Sequence, residues 1–287
     1  MSVIQKLGSK SISLKEVHDF DWLSELGDVF AVFDQQDSGN VSFGVADGAK
    51  KWFVKYAGAK TLYYKGEIQQ AVKRIKEAVA VYEHLAHPNL VTLHSHFATK
   101  GGYALVFPWV EGECLHAHWV FPPPAKYTDP NSPTYKHKRL PVAKRLVTLD
   151  AIYSFHEHVE RNGYVAIDFY DGSILYDFST GVTTICDIDL YRKKPYVNTM
   201  GRMWGSKRFM APEEFELGAA IDAQTNVYTM GAVAFALLGN ENKRTAENWD
   251  ASTALFEVAK QATAVEREAR FPTVAAFVAA WQEAKKR

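Results

Sequence analysis

Residues 28–57 set the first constraint on the fold. Three runs rich in Val and Phe, "DVFAVFD", "VSFGV" and "KKWFVKYA", are separated only by "QQDSGN" and "ADGA". Ser-Gly-Asn and Asp-Gly are tight-turn residues, so the stretch predicts three antiparallel strands. One amphipathic helix follows over 66–86, where Ile68, Val72, Ile75, Val79 and Tyr82 recur every three or four positions. Pro88 in "HPNLV" ends it, because proline cannot continue a helix and biases its predecessor away from one. "VTLHSHFA" and "GYALVFPWV" are two more strand candidates, and from Val142 onward the pattern is mostly helical. Strands first and helices later predict an α+β, bilobal chain: an antiparallel sheet with one helix over 1–110, including an N-terminal extension, then a mainly helical part over 111–287.

Between the two halves, "VFPPPAKYTDPNSPTYKHKRLP" (120–141) holds six of the eleven prolines and predicts an exposed inserted loop. Lys plus Arg and Asp plus Glu both number 33, so no net field draws the chain to nucleic acid or an anionic membrane. The longest apolar run, "MGAVAFALLG", is too short to span a bilayer and reads as a buried helix. Two cysteines, Cys114 and Cys186, suit a reducing cytoplasm.

The chemistry-bearing residues fall after short apolar runs. "GYVAIDFYDGSILYDF" carries Asp168, and "TTICDIDLYR" carries Asp187 and Asp189. With Lys55 in "WFVKY", "HPNLV", "LVFPWVEGECL", "GSKRFMAPEEF" and "EREARFPTV", they resemble the eukaryotic-type protein kinase fold in order, over roughly residues 28–285. The resemblance implies ATP and Mg2+ as cofactors. It implies that Lys55 holds the phosphates, with Glu77 as the best candidate for its carboxylate partner. Asp168 is then the catalytic base and Asp187 a magnesium ligand. The adenine would lie under Val41 and against Phe107, Pro108 and Val110. Ala211-Pro212-Glu213 matches the end of the activation segment, with Arg270 as the partner of Glu213.

The departures are specific. "DQQDSGNV" keeps only Gly39 and Val41 of the glycine-rich loop, and Asp34 or Asp37 there could repel phosphate. Ala166 and Ile167 replace the His-Arg before the catalytic aspartate, so no arginine there can receive an activation-loop phosphate. Tyr170 replaces a lysine, Ser173 the metal-binding asparagine, and Asn226 an aspartate that braces the loop. Asp189 either adds a carboxylate to the metal loop or points to solvent. Two function classes stay open: a phosphotransferase acting on a protein hydroxyl or small alcohol, and a pseudokinase serving as a binding module. His156 and His158 are too close to share a helix face as metal ligands. His94 and His96 lack a third ligand nearby.

Overall fold

The computed structural model describes residues 2–287. Two compact units form: one runs up to Ala86 and resumes over Val91–Glu111, and the other takes His87–Leu90 and Gly112–Arg287.

In the first unit a hairpin of β1 (Val3–Leu7) and β2 (Lys10–Leu14) precedes β3 (Asp28–Phe33), β4 (Asn40–Asp47), β5 (Lys50–Ala57), α1 (Ile68–His84), β6 (Ser95–Ala98) and β7 (Tyr103–Pro108). The last five strands make one antiparallel sheet in the order β3-β4-β5-β7-β6. The three strands expected over 28–57 are therefore present. Asp47 faces Lys50 across the Asp-Gly turn, where Gly48 has φ 57°, a conformation open to glycine at little cost.

Alternation gives the sheet two different faces. Val41, Phe43, Val54 and Tyr56 join a core with Ile12 and Leu14 of the hairpin and with Phe20 and Leu23. Ser42, Phe53, Lys55, Leu105 and Phe107 occupy the opposite face, because each is the strand neighbour of a core-facing residue. Helix α1 packs on that second face, where the Tyr82 ring meets Phe107 edge-on at 5.0 Å.

The second unit contains β8 (Glu113–Cys114), α2 (Ala125–Thr128), α3 (Pro133–Lys138), α4 (Val142–Arg161), β9 (Tyr164–Val165), β10 (Ile174–Tyr176) and β11 (Thr183–Ile185). It continues through β12 (Arg192–Lys193), β13 (Tyr196–Val197), β14 (Ala220–Ile221), α5 (Ala223–Leu238), α6 (Thr253–Ala262) and α7 (Val274–Lys285). Asp222, Ser252 and Thr273 cap α5, α6 and α7 by accepting backbone N–H bonds from Gln224, Leu255 and Ala276. The apolar run expected to be a buried helix is α5, which is buried along most of its length. Among the described residues no helix is long and apolar enough to cross a membrane. His87–Leu90 group with this unit because Ile185 donates its N–H to Asn89 O at 2.6 Å and Leu90 bridges to Ile185.

The exposed loop expected over 120–141 is not what forms. The segment folds into α2 and α3, and Lys126, Ser132 and His137 are each buried. Pro133 begins α3, where a missing N–H costs nothing, and Pro124 immediately precedes α2, so two of the six prolines start short helices.

Candidate active site

Asp168 and Asp187 share a backbone property. Among the described residues they are the only non-glycine positions with positive φ, at 62° and 56°. Left-handed backbone costs an L-residue roughly 1–2 kcal/mol. Such strain persists only where the surroundings enforce it, and it concentrates at functional sites.

The charges of the two carboxylates are felt by the same two rings. Burial, then the charges of Asp187 and Asp168, push the Tyr170 phenol far above its usual range. Tyr191 is raised by burial and by the same two aspartates. Gly172 makes room for Tyr170: a Cβ there would lie 2.4 Å from the ring. Tyr170 therefore packs over Gly172 within the field of both acids, a role for "DFYDGS" that pattern reading did not supply. A shallow groove next to Asp168 is lined by Gly205, Ser206, Phe209, Glu214 and Thr229.

Ser173 and the Asp187 loop are joined by the Cys186 N–H donating to Ser173 O at 2.9 Å, extending the β10–β11 ladder. The Ser173 hydroxyl is buried and has no hydrogen-bond partner among the described residues. A buried polar atom left unmade is costly, so this oxygen is suited to a ligand. Asp189 is only 6% exposed, which rules out the solvent-facing alternative. Among the described residues no three His, Cys, Asp or Glu cluster as a ready-made metal cage. Magnesium does not need one, since it commonly takes one or two carboxylates and completes its shell with water and phosphate. The oxygen donors of Asp187, Asp189 and Ser173 fit that chemistry.

Two supporting expectations are met in this unit. Asn226 Oδ1 accepts the Ala166 N–H at 3.0 Å, so the neutral amide still braces the loop that carries Asp168. Arg270 grips Glu213 through two bonds of 2.8 and 3.1 Å, deep in the interior.

In the first unit, Lys55 is buried at 7% exposure on the α1 face of the sheet. Glu77 is 47% exposed and pairs with Lys73 one turn earlier at 3.7 Å. Val41 requires a correction. Its side chain is fully buried in the hairpin-side core, on the face opposite Lys55, because it pairs with Tyr56 while Ser42 pairs with Lys55. Ser42 is the β4 residue paired with Lys55, on the lysine's face, and its buried hydroxyl has no partner among the described residues.

Gly39 has φ 83°, and a Cβ there would sit 2.8 Å from Tyr64 and 2.9 Å from Ala71. Internal packing therefore already explains this glycine. Asp34 does not hang free toward a ligand either: its carboxylate accepts the Ser13 N–H at 2.8 Å. Phe107 is buried, Pro108 ends β7 exposed to solvent, and Val110 is half-buried.

The histidines behave as ordinary residues. His156 is buried between Ile152 O at 2.8 Å and Tyr191 Oη at 2.9 Å, and burial lowers its pKa to about 4. Facing a carbonyl, Nδ1 must donate, so Nε2 accepts from the tyrosine. His94 stacks on Trp52 and His96 bonds the Tyr103 hydroxyl.

The protein kinase domain family model matches residues 36–279. CBL-interacting protein kinase 25 from Oryza sativa subsp. japonica is 25% identical over 172 residues, which cover 58% of this chain and 31% of that protein. The match thus spans about a third of that relative's length.

Proposed function

The chain belongs to the protein kinase family, and from that premise we propose an ATP-dependent phosphotransferase acting on a Ser/Thr or other alcohol hydroxyl. Asp168 orients the acceptor hydroxyl and takes its proton as the new O–P bond forms and the bond from the γ-phosphorus to the leaving oxygen breaks. Lys55 supplies a point charge to the nucleotide phosphates. Asp187, Asp189 and Ser173 would hold magnesium, which when bound neutralises phosphate charge. The observation carrying this reading is the left-handed backbone at Asp168 and Asp187 and at no other non-glycine residue described. Cytoplasmic residence fits two free cysteines, with the Cys114 thiol pushed up to about 12 by burial and so unreactive.

The test is an ATP titration by calorimetry with and without Mg2+, followed by a γ-phosphate transfer assay on wild type and Asp168→Ala. The reading expects magnesium-dependent ATP binding in both proteins and transfer only in the wild type. Absence of nucleotide binding in the folded wild type would overturn it.

One observation favours the second reading, a pseudokinase used as a binding module. On the lysine's face of the sheet, Gly44 leaves a slot filled from within the unit: a Cβ there would meet Phe30 at 2.7 Å and Trp109 at 3.0 Å. Phe30 and Trp109 pack edge to face at 4.9 Å, with Phe53 beside them. These rings compete for the apolar surface that a nucleotide base would use. Phe30→Ala separates the two readings. A gain in ATP affinity without turnover supports the module, whereas a gain with turnover supports the enzyme.

A further inference from the structure

Four charged side chains, distant in sequence, meet in the interior of the second unit. Lys126 of α2 is 2% exposed, Asp171 of the catalytic loop 4% and Glu241 2%, with Arg208 of "GSKRF" the most accessible. Lys126 Nζ lies 2.5 Å from Asp171 Oδ2 and 3.7 Å from Glu241 Oε1. Arg208 straddles the same two acids. Its Nη1 and Nη2 donate to Asp171 at 3.1 and 3.0 Å, and Nη1 also donates to Glu241 at 2.6 Å. Tyr127 donates its hydroxyl to Glu241. His116 faces Asp171 at 3.7 Å, and burial lowers its pKa to about 4, so it adds no charge at neutral pH. Two cations thus balance two anions.

Burying four charges is an expensive way to hold a fold, since apolar residues of similar volume often do as well or better. What ionic partners supply is a fixed geometry, and the arginine fork imposes one on a carboxylate. That geometry joins three segments. Asp171 stands three residues after Asp168. Arg208 belongs to the stretch whose Gly205 approaches the Asp168 backbone: a Cβ on Gly205 would lie 3.8 Å from the Asp168 Cα. Lys126 comes from the 120–141 insertion, locked by Ser132 Oγ donating to Lys126 O at 2.7 Å.

We propose that Lys126 is a positioning residue for phosphoryl transfer: through Asp171 and Arg208 it fixes the catalytic loop and the 205–211 segment as one piece, with no phosphate needed on that segment. The inference rests on the phosphotransferase reading and extends it to a part of the chain with no assigned role. Lys126 acts through Asp171 and touches no reacting atom. Its loss misplaces Asp168 by a fraction of an ångström to an ångström, an error that can cost about 10²-fold in rate.

The experiment compares wild type, Lys126→Met, and Lys126→Met with Glu241→Gln. The double variant restores the balance of buried charge without restoring the bond to Asp171. Thermal melts, ATP affinity by calorimetry, γ-phosphate transfer to a Ser/Thr peptide mixture, and hydrogen exchange over 202–211 are measured on each. The expected result is a melt recovered in the double variant, unchanged ATP affinity, faster exchange over 202–211, and turnover still down by about 10²-fold. Turnover that recovers together with the melt would make Lys126 merely structural and overturn the proposal. So would a folded Lys126→Met with wild-type turnover, and either result leaves the phosphotransferase reading intact. A folded wild type that transfers no phosphate to peptide, alcohol or water fails that reading and takes this inference with it.

Discussion

The turn at 34–39 and the loop at 168–173 are both far from the family's sequence pattern, yet they are held in opposite ways. The first is fastened by packing and backbone bonds: Asp34 accepts from Ser13 N–H, Arg74 donates to Ser38 O at 2.6 Å, and Tyr64 and Ala71 crowd Gly39. Its only positive φ belongs to a glycine. The second carries a strained aspartate, and buried charges on Asp171 hold it. Motif loss therefore means different things in the two places. The 34–39 turn is held as part of the scaffold of its own unit. The Asp168 loop lacks the His-Arg of that pattern, yet it is tied by buried ion pairs through Asp171 and holds a backbone conformation that costs energy.

The sharpest way to break this contrast is Asp168→Ala. On the proposed phosphotransferase reading, transfer should fall by about 10²–10⁴-fold with ATP affinity nearly unchanged, because Asp168 would act on the acceptor and not on the nucleotide. A variant with wild-type turnover would mean that the strain at Asp168 serves only the fold. Next in size, Arg270→Met leaves Glu213 buried without its main partner, and chemical denaturation should report a loss of about 3–5 kcal/mol. Arg267, which also pairs with Glu213 at 2.7 Å, sets the lower end of that range.

Glu214 tests the second unit through pH. Burial, aided by the charges of Glu213 and Asp168 and opposed by an N–H bond from Ala211, pushes its carboxyl up to about 8. The folded chain keeps a proton there that the unfolded chain sheds above 4.5. This contribution to stability is therefore complete at low pH and declines as pH rises from 4.5 toward 8, by at most roughly 1.4 kcal/mol per unit. Glu214→Gln keeps an acceptor for Ala211 and should flatten the decline, gaining over wild type as pH rises. Parallel melting curves from pH 5 to 8 would contradict the assignment. A smaller effect is expected in the first unit, where Gly39→Ala adds a methyl against Tyr64 and Ala71 in left-handed backbone and should cost about 1–3 kcal/mol. If it instead abolished ATP binding while leaving the melt unchanged, Gly39 would belong to the ligand and not to the scaffold.

Period and turn chemistry made much of the architecture legible: the strands of 28–57, helix α1 and buried α5 all follow from residues that speak locally, whereas the Glu213–Arg270 pair was implied only by the family resemblance. The family pattern that sets Val41 over the adenine carries no information on strand phase, and an offset of one residue exchanges the two faces. The insertion was misread because its prolines are conspicuous, whereas the partners of Lys126 lie at 171 and 241, where no local pattern reveals them. Nor does composition disclose backbone strain. That Asp168 and Asp187 are left-handed follows from tertiary constraint alone, as does the lack of a partner for the Ser173 hydroxyl among the described residues.

The central claim is tested most directly by following label from γ-labelled ATP with wild-type protein, a Ser/Thr peptide mixture and Mg2+, before and after chelation of the metal. The account predicts labelled acceptor with magnesium and none without it. ATP bound by the folded protein, with no label passed to peptide, alcohol or water in either condition, would contradict it.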